Sequence, residues 1–211
     1  IGVINIMNSI TLVLLHLAQN NLSESERIFQ EIKLEIKRKR SHLFNIILDV
    51  AHAEIYLSKN DADKAIRKVL EVEQIPLTPL SNFYAPQFTL VKVLIYMGDA
   101  SSLEKATRLT KKYLEFARKT HNKLFEMRFQ ALQSLQYFCA AEYAAAFTSV
   151  QEVILKAKVY NLVRVFLDCG PKMKELLIRY NECITSDSYV HELIQAFPLN
   201  PNEIELSSRE K

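Results

Sequence analysis

This chain of 211 residues has only three glycines, six prolines and no tryptophan. So few turn-forming residues exclude a succession of tight β-turns and favour long helices. No two glycines lie near each other, so the Gly-x-x-x-x-Gly-Lys-Ser/Thr phosphate-binding loop is absent, and nucleotide hydrolysis by that route is excluded. Without tryptophan, any stacking on a ligand falls to tyrosine or phenylalanine. The three cysteines, Cys139, Cys169 and Cys183, are odd in number and contain no Cys-x-x-Cys pair. That usage fits free thiols in a reducing cytoplasm better than a disulfide framework. Long apolar runs are missing too. The longest, Ile10–Ala18, is interrupted by Thr11 and His16 and falls short of the ~20 residues a membrane span needs. The start of the chain, with Ile1 in place of Met and no basic leader segment, reads as an internal piece of a longer cytoplasmic protein.

What is present describes a globular chain able to bury a sizeable core: 49% hydrophobic and 24% charged residues, with a formal net charge of +3. A charge so close to balance gives no broad basic face for nucleic acid. The one basic cluster, Lys37-Arg38-Lys39-Arg40, is expected to end a helix, where cations oppose the negative pole of the helix dipole.

A repeat organises the rest. Polar breaks at Asn20-Asn21, Asn60-Asp61, Gly98-Asp99 and Ala141-Glu142 each separate two amphipathic stretches. Small residues just beyond them, Ser25, Ala65, Ala106 and Ala146, are spaced by 40, 41 and 40. A period of that length marks stacked helix pairs, since tetratricopeptide units run ~34 residues and HEAT-type units ~40–47. Within residues 103–119 the apolar positions Leu103, Ala106, Leu109, Tyr113, Phe116 and Ala117 form one stripe at helical period. Ser23 with Glu26 suggests a capping box for the second helix. Pro76-Leu77-Thr78-Pro79 forms a longer link between the second and third pairs. Residues 162–180 read as a helical stretch interrupted near Gly170-Pro171, with Asp168 a candidate cap for the restart, and 187–197 as a short terminal helix. No segment shows sustained strand alternation. The expectation is an all-α, right-handed superhelix of stacked antiparallel helix pairs over residues 1–197, tetratricopeptide-like with a repeat of about 40 residues, followed by a linker over 198–211.

Chemistry is sparse. The five histidines, at 16, 42, 52, 121 and 191, have no metal-ligand spacing, and Cys139 has no visible activating base. No catalytic constellation is present, so the chain is expected not to be an enzyme, with no metal or cofactor of its own. The first helix of each pair in such a superhelix lines the concave face. Registering the repeats on their small residues turns Glu54, Lys92, Tyr96 and Arg128 towards it. Mixed charge and an aromatic in one groove suit a polar small molecule. The same four also read as solvated groove residues that bind nothing.

Three segments near the C-terminus carry a resemblance. Arg164-Val165-Phe166-Leu167-Asp168-Cys169-Gly170-Pro171-Lys172-Met173-Lys174-Glu175-Leu176-Leu177 resembles an Arg-x-Phe-x-Asp/Glu-x-Gly-x-x-Met-x-x-Leu-Leu pattern. Tyr189–Phe197 resembles Tyr-x-x-x-Leu-Leu-x-Ala-Phe, and Leu206-Ser207-Ser208-Arg209-Glu210-Lys211 resembles the beginning of a LuxR-type helix-turn-helix domain. In this order they are similar to the region of MalT-like, LuxR-family transcription regulators between the helical-repeat sensor and the DNA-binding domain. The resemblance implies a signal-sensing and oligomerisation domain whose partners are a small-molecule inducer, other domains or copies of the same regulator, and DNA only through a domain beyond Lys211. It also implies an ATP-binding module upstream of these residues. A tetratricopeptide-like scaffold that docks a protein without sensing a small molecule is the competing expectation.

Overall fold

A computed structural model of the chain describes residues 3–39, 42–76, 85–184 and 187–198. Among the described residues it is all-helical, as the turn-poor composition predicts. Helices α1 (Val3–Ala18) and α2 (Leu22–Lys39), α3 (His42–Ser58) and α4 (Ala62–Val69), α5 (Pro86–Met97) and α6 (Ala100–Lys119), and α7 (Lys123–Cys139) and α8 (Tyr143–Val159) pack as consecutive pairs. A 3-10 turn, Val72–Gln74, follows α4. Three further helices follow among the described residues: α9 (Arg164–Leu167), α10 (Pro171–Cys183) and α11 (Ser188–Ala196).

The breaks read from sequence are where one helix stops and the next starts. Asn20, Asn60, Gly98 and Ala141 all have positive φ, the left-handed conformation that terminates a helix. Asn21, Asp61 and Glu142 then send their N–H five residues back, to the carbonyls of His16, Tyr56 and Tyr137 at 2.8–2.9 Å. These bonds satisfy carbonyls that the helix end would otherwise orphan. At all of these breaks but Ala141-Glu142, the side chain of the next residue caps the following helix. Asp61 accepts from the Lys64 N–H and Asp99 from the Ser102 N–H, both at 3.0 Å. The same device links hairpins at His121-Asn122, where Asn122 accepts from the Phe125 N–H at 3.0 Å.

The second helix departs from expectation. The side chain of Asn21, rather than Ser23, caps α2: its Oδ1 accepts from the Glu24 N–H at 3.3 Å and from the Ser23 hydroxyl at 3.2 Å. Left-handed Asn20 ends α1 so abruptly that Asn21 already occupies the capping position, and Glu26 reaches across to Lys59 instead. The basic cluster does fall at the end of α2, with Lys37 exposed; Arg40 lies outside the described residues, as do Leu77–Pro79 of the expected link.

Packing follows the small residues. Ser25, Ala65, Ala106 and Ala146 are all fully buried, one in the second helix of each pair. Their short side chains let paired helices approach closely, and the Ser25 hydroxyl donates to the Val13 carbonyl at 3.1 Å across such a contact. On α6, Ala106, Leu109, Tyr113 and Ala117 are buried, while Leu103 and Phe116 lie at the margin. One core runs from α3 to α11 and a second joins α1, α2 and the outer half of α3. Helix α5 is exceptional, because every residue from Pro86 to Ile95 is buried, including Gln87, Thr89 and Lys92. A helix enclosed on all sides is central to its domain, and polar groups carried on it must find partners there.

After α8 the paired pattern ends. The C-terminal segments contribute apolar anchors to the main core: Phe166, Met173, Leu176 and Leu177 from the first, and Tyr189, Val190, Leu193 and Phe197 from the second. The expected linker and the Leu206–Lys211 segment lie outside the described residues, apart from Pro198.

Candidate functional site

Helices α3, α5 and α7 are the first members of the second, third and fourth pairs. They carry Glu54, Lys92 with Tyr96, and Arg128 respectively. The structure brings these four side chains together, and what they hold is the chain's own turn from α9 into the start of α10, residues Asp168–Lys172.

Lys92 is the centre. Its ammonium bonds to the Glu54 carboxylate and donates to the Asp168 carbonyl at 2.9 Å, with the Phe88 ring centroid 5.7 Å away. Glu54 is held on its other oxygen by the Thr89 hydroxyl at 2.6 Å. The side chains of Lys92 and Glu54 are only 9% and 12% exposed, so each charge depends on the other for solvation. Sequence supplies the reason: Lys92 is the only charged residue in α5, and a lysine on a fully enclosed helix needs a carboxylate nearby.

Tyr96 lies one turn along α5. Its hydroxyl donates to the Cys169 carbonyl at 3.1 Å and accepts from the Lys172 N–H at 3.3 Å, bridging the turn. Burial pushes the Tyr96 phenol well above its ordinary range, so it stays protonated and able to donate. Gly170, at φ +84° and ψ −171°, sits directly over this hydroxyl; a Cβ there would lie 2.5 Å from the Tyr96 oxygen. Both the backbone conformation and the close approach require glycine. The Lys172 ammonium lies 5.0 Å from the Tyr96 ring centroid.

Arg128 closes the far side. Its guanidinium carbon is 4.4 Å from the Phe88 ring centroid, and Nη2 donates to Asp168 Oδ2 at 3.4 Å. The other carboxylate oxygen of Asp168 pairs with Arg164. This corrects the expected helix cap: Gly170 precedes α10 with no side-chain cap, because the Asp168 carboxylate is engaged by two arginines instead.

The periodic pattern picked out these four side chains on the first helices, while Thr89, Phe88, Asp168, Gly170 and Lys172 escaped it. Asp168 was legible as a polar residue near a helix restart, but nothing local to it points 40 residues back to Arg128. Only the folding of α9 and α10 over the first helices makes that pairing.

The cluster offers little for bond-making chemistry. The Cys169 thiol is fully buried, pushed up to about 12 by that burial, and donates to the Val165 carbonyl at 3.4 Å. It is protonated and unreactive at neutral pH. Among the described residues no group of three or more His, Cys, Asp or Glu side chains is placed to hold a metal ion. His52 lies between the rings of Phe29 and Tyr56, at 4.5 and 4.4 Å, and burial pushes its pKa down to about 4. Among the described residues no helix is long and apolar enough to cross a membrane. Compared with protein-family models, characterised proteins and solved structures, the chain matches none.

Proposed function

We propose that this chain is the signal-receiving and assembly domain of a MalT-like regulator of the LuxR family, working in the cytoplasm. Its helix pairs are read as tetratricopeptide-like units wound into a right-handed superhelix. The segments 164–177, 189–197 and 206–211, in that order, support the assignment by their resemblance to such regulators. One observation carries it further: the first of these segments rests its turn on Lys92, Tyr96 and Arg128, with Glu54 holding Lys92 from behind, and these are the side chains that the repeat register directs into the groove. A change at the groove therefore alters the seating of the very segment that leads towards the DNA-binding end. An inducer acts on such a device only by binding one arrangement more tightly than the other. The ATP-binding module and the helix-turn-helix belong, on this reading, to parts of the regulator outside residues 1–211.

DNA binding tests the reading. The gene product carrying the sequence beyond Lys211 is expected to bind a defined operator selectively, whereas residues 1–211 bind random duplex weakly and without preference at physiological salt. Submicromolar, sequence-selective binding by residues 1–211 overturns it, as does a longer gene product with no DNA affinity.

A second reading, a scaffold that docks a protein partner, is favoured by the exposed apolar residues Leu155, Val159 and Tyr160 at the end of α8. It prevails if the longer gene product lacks DNA affinity and a protein partner protects those residues from solvent.

A further inference from the structure

Arg128 is held firmly but bonded poorly. Phe88 supports its guanidinium face, yet its hydrogen bonding among the described residues is the single 3.4 Å contact to Asp168. Its Nε is closed to solvent and has no hydrogen-bond partner. A guanidinium presents Nε–H and Nη2–H as a planar fork that matches both oxygens of a carboxylate or phosphate. Asp168 cannot fill that fork, because its Oδ1 is drawn to Arg164, four residues back at the start of α9. Lys92, by contrast, bonds to both Glu54 and the Asp168 carbonyl. The unsatisfied donor in the cluster therefore belongs to a cation, and Asp168 is its imperfect counter-ion.

From this geometry we infer that Arg128 anchors a subsite for a small carboxylate or phosphate, whose place Asp168 takes in this structure. An external anion that binds Nε and Nη2 together makes two charge-assisted bonds where Asp168 makes one long one. With the Asp168–Lys172 turn seated, Nε is closed to solvent, so the anion reaches it only as the turn lifts. Lifting breaks the bonds from Lys92 to the Asp168 carbonyl and from Tyr96 to the Cys169 carbonyl, and it frees Arg164 with Asp168. Anion binding and release of the 164–177 segment are then one event, and the anion's preference for the lifted state sets the size of the shift. The inference builds on the proposed regulator by naming the chemical class of its signal.

Sodium phosphate and sodium acetate, each against sodium chloride at matched ionic strength, are the probes. Calorimetric titration of the 211-residue chain is compared with Asp168→Asn, which removes the competing charge but keeps the side-chain shape. At least one probe is expected to bind Asp168→Asn tenfold or more tightly than the parent, and the gain should vanish in Asp168→Asn/Arg128→Gln. In the parent, the same probe should accelerate amide hydrogen exchange in residues 165–176, and Arg128→Gln should abolish that response. Preference for acetate or for phosphate identifies the anion class. Equal binding by parent and Asp168→Asn overturns the inference. If Asp168→Asn does not fold, the exchange comparison of parent and Arg128→Gln decides alone, and no anion-dependent acceleration in the parent overturns it. Neither result bears on selective DNA binding by the longer gene product, so the two readings fail separately.

Discussion

Replacing Lys92 by methionine removes a charge from the most enclosed helix of the molecule while nearly preserving side-chain length. Three consequences follow from the geometry. The Glu54 carboxylate, 12% exposed, keeps only the Thr89 hydroxyl at 2.6 Å. The Asp168 carbonyl loses its 2.9 Å donor, and the Phe88 ring loses the cation near its face. Breaking one partner of a buried pair typically costs about 3–5 kcal/mol, because the surviving charge is stranded. At about 2–4 °C per kcal/mol for a chain of this size, Lys92→Met should lower the melting midpoint by roughly 6–20 °C. Glu54→Gln in the same chain removes the stranded charge yet still offers Thr89 an acceptor. The double variant should therefore recover most of the loss, since neutral replacements of buried pairs are often close to isoenergetic. Urea denaturation of the parent, both single variants and the double variant gives the coupling directly. A Lys92→Met midpoint within error of the parent, or a double variant no better than Lys92→Met, would refute the picture of a buried, mutually dependent pair. It would restore the reading of Lys92 as a solvated groove residue.

Gly170→Ala places a Cβ against the Tyr96 hydroxyl in a backbone region nearly closed to other residues, a strain of about 1–3 kcal/mol; an unchanged urea midpoint would show that the turn is not seated on α5. Ala106→Leu overpacks the contact between α6 and its neighbours and should cost about 1–3 kcal/mol in the same assay, with no loss expected only if the residue faced solvent. His52 is neutral in the fold, with its pKa pushed down to about 4 by burial, while the unfolded chain takes up a proton near the ordinary value of about 6.5. Between those values the unfolded state binds more protons, so stability falls as pH drops from 6.5 towards 4. His52→Phe should flatten that slope, and an identical pH profile would refute it. At pH 8 a thiol reagent should label exposed Cys183 quickly and Cys169 only on unfolding, and equal native-state rates would contradict the burial of Cys169.

Much of the local structure is legible in the sequence because it is governed by local chemistry. Pairs such as Asn60-Asp61 and Gly98-Asp99 combine a residue tolerant of the left-handed conformation with a residue able to cap the next helix, and both work as that chemistry dictates. The forty-residue spacing locates Ser25, Ala65, Ala106 and Ala146 because only small side chains permit the close approach within each pair. The same spacing selects Glu54, Lys92, Tyr96 and Arg128 as residues on the first helices. Capping of α2 escaped it, since Asn21 and Ser23 are both good caps and the exact end of α1 decides between them.

What the tertiary structure alone decided is what fills the space beside those four side chains. A repeat pattern says which face a residue occupies, and says nothing about a later segment that folds back across it. The contact between Arg128 and Asp168 spans 40 residues and that between Tyr96 and Cys169 spans 73, and both reach into a segment beyond α8 where the repeat has ended. The turn at Gly170 makes both possible, because a residue without a Cβ can lie against the Tyr96 hydroxyl. Sequence by itself determined the helices, the breaks between them and which side chains the first helices present. Folding α9 and α10 onto α5 and α7 decided that these charges neutralise one another and grip a turn of their own chain, because an enclosed lysine or arginine has to find its counter-charge wherever the chain brings one.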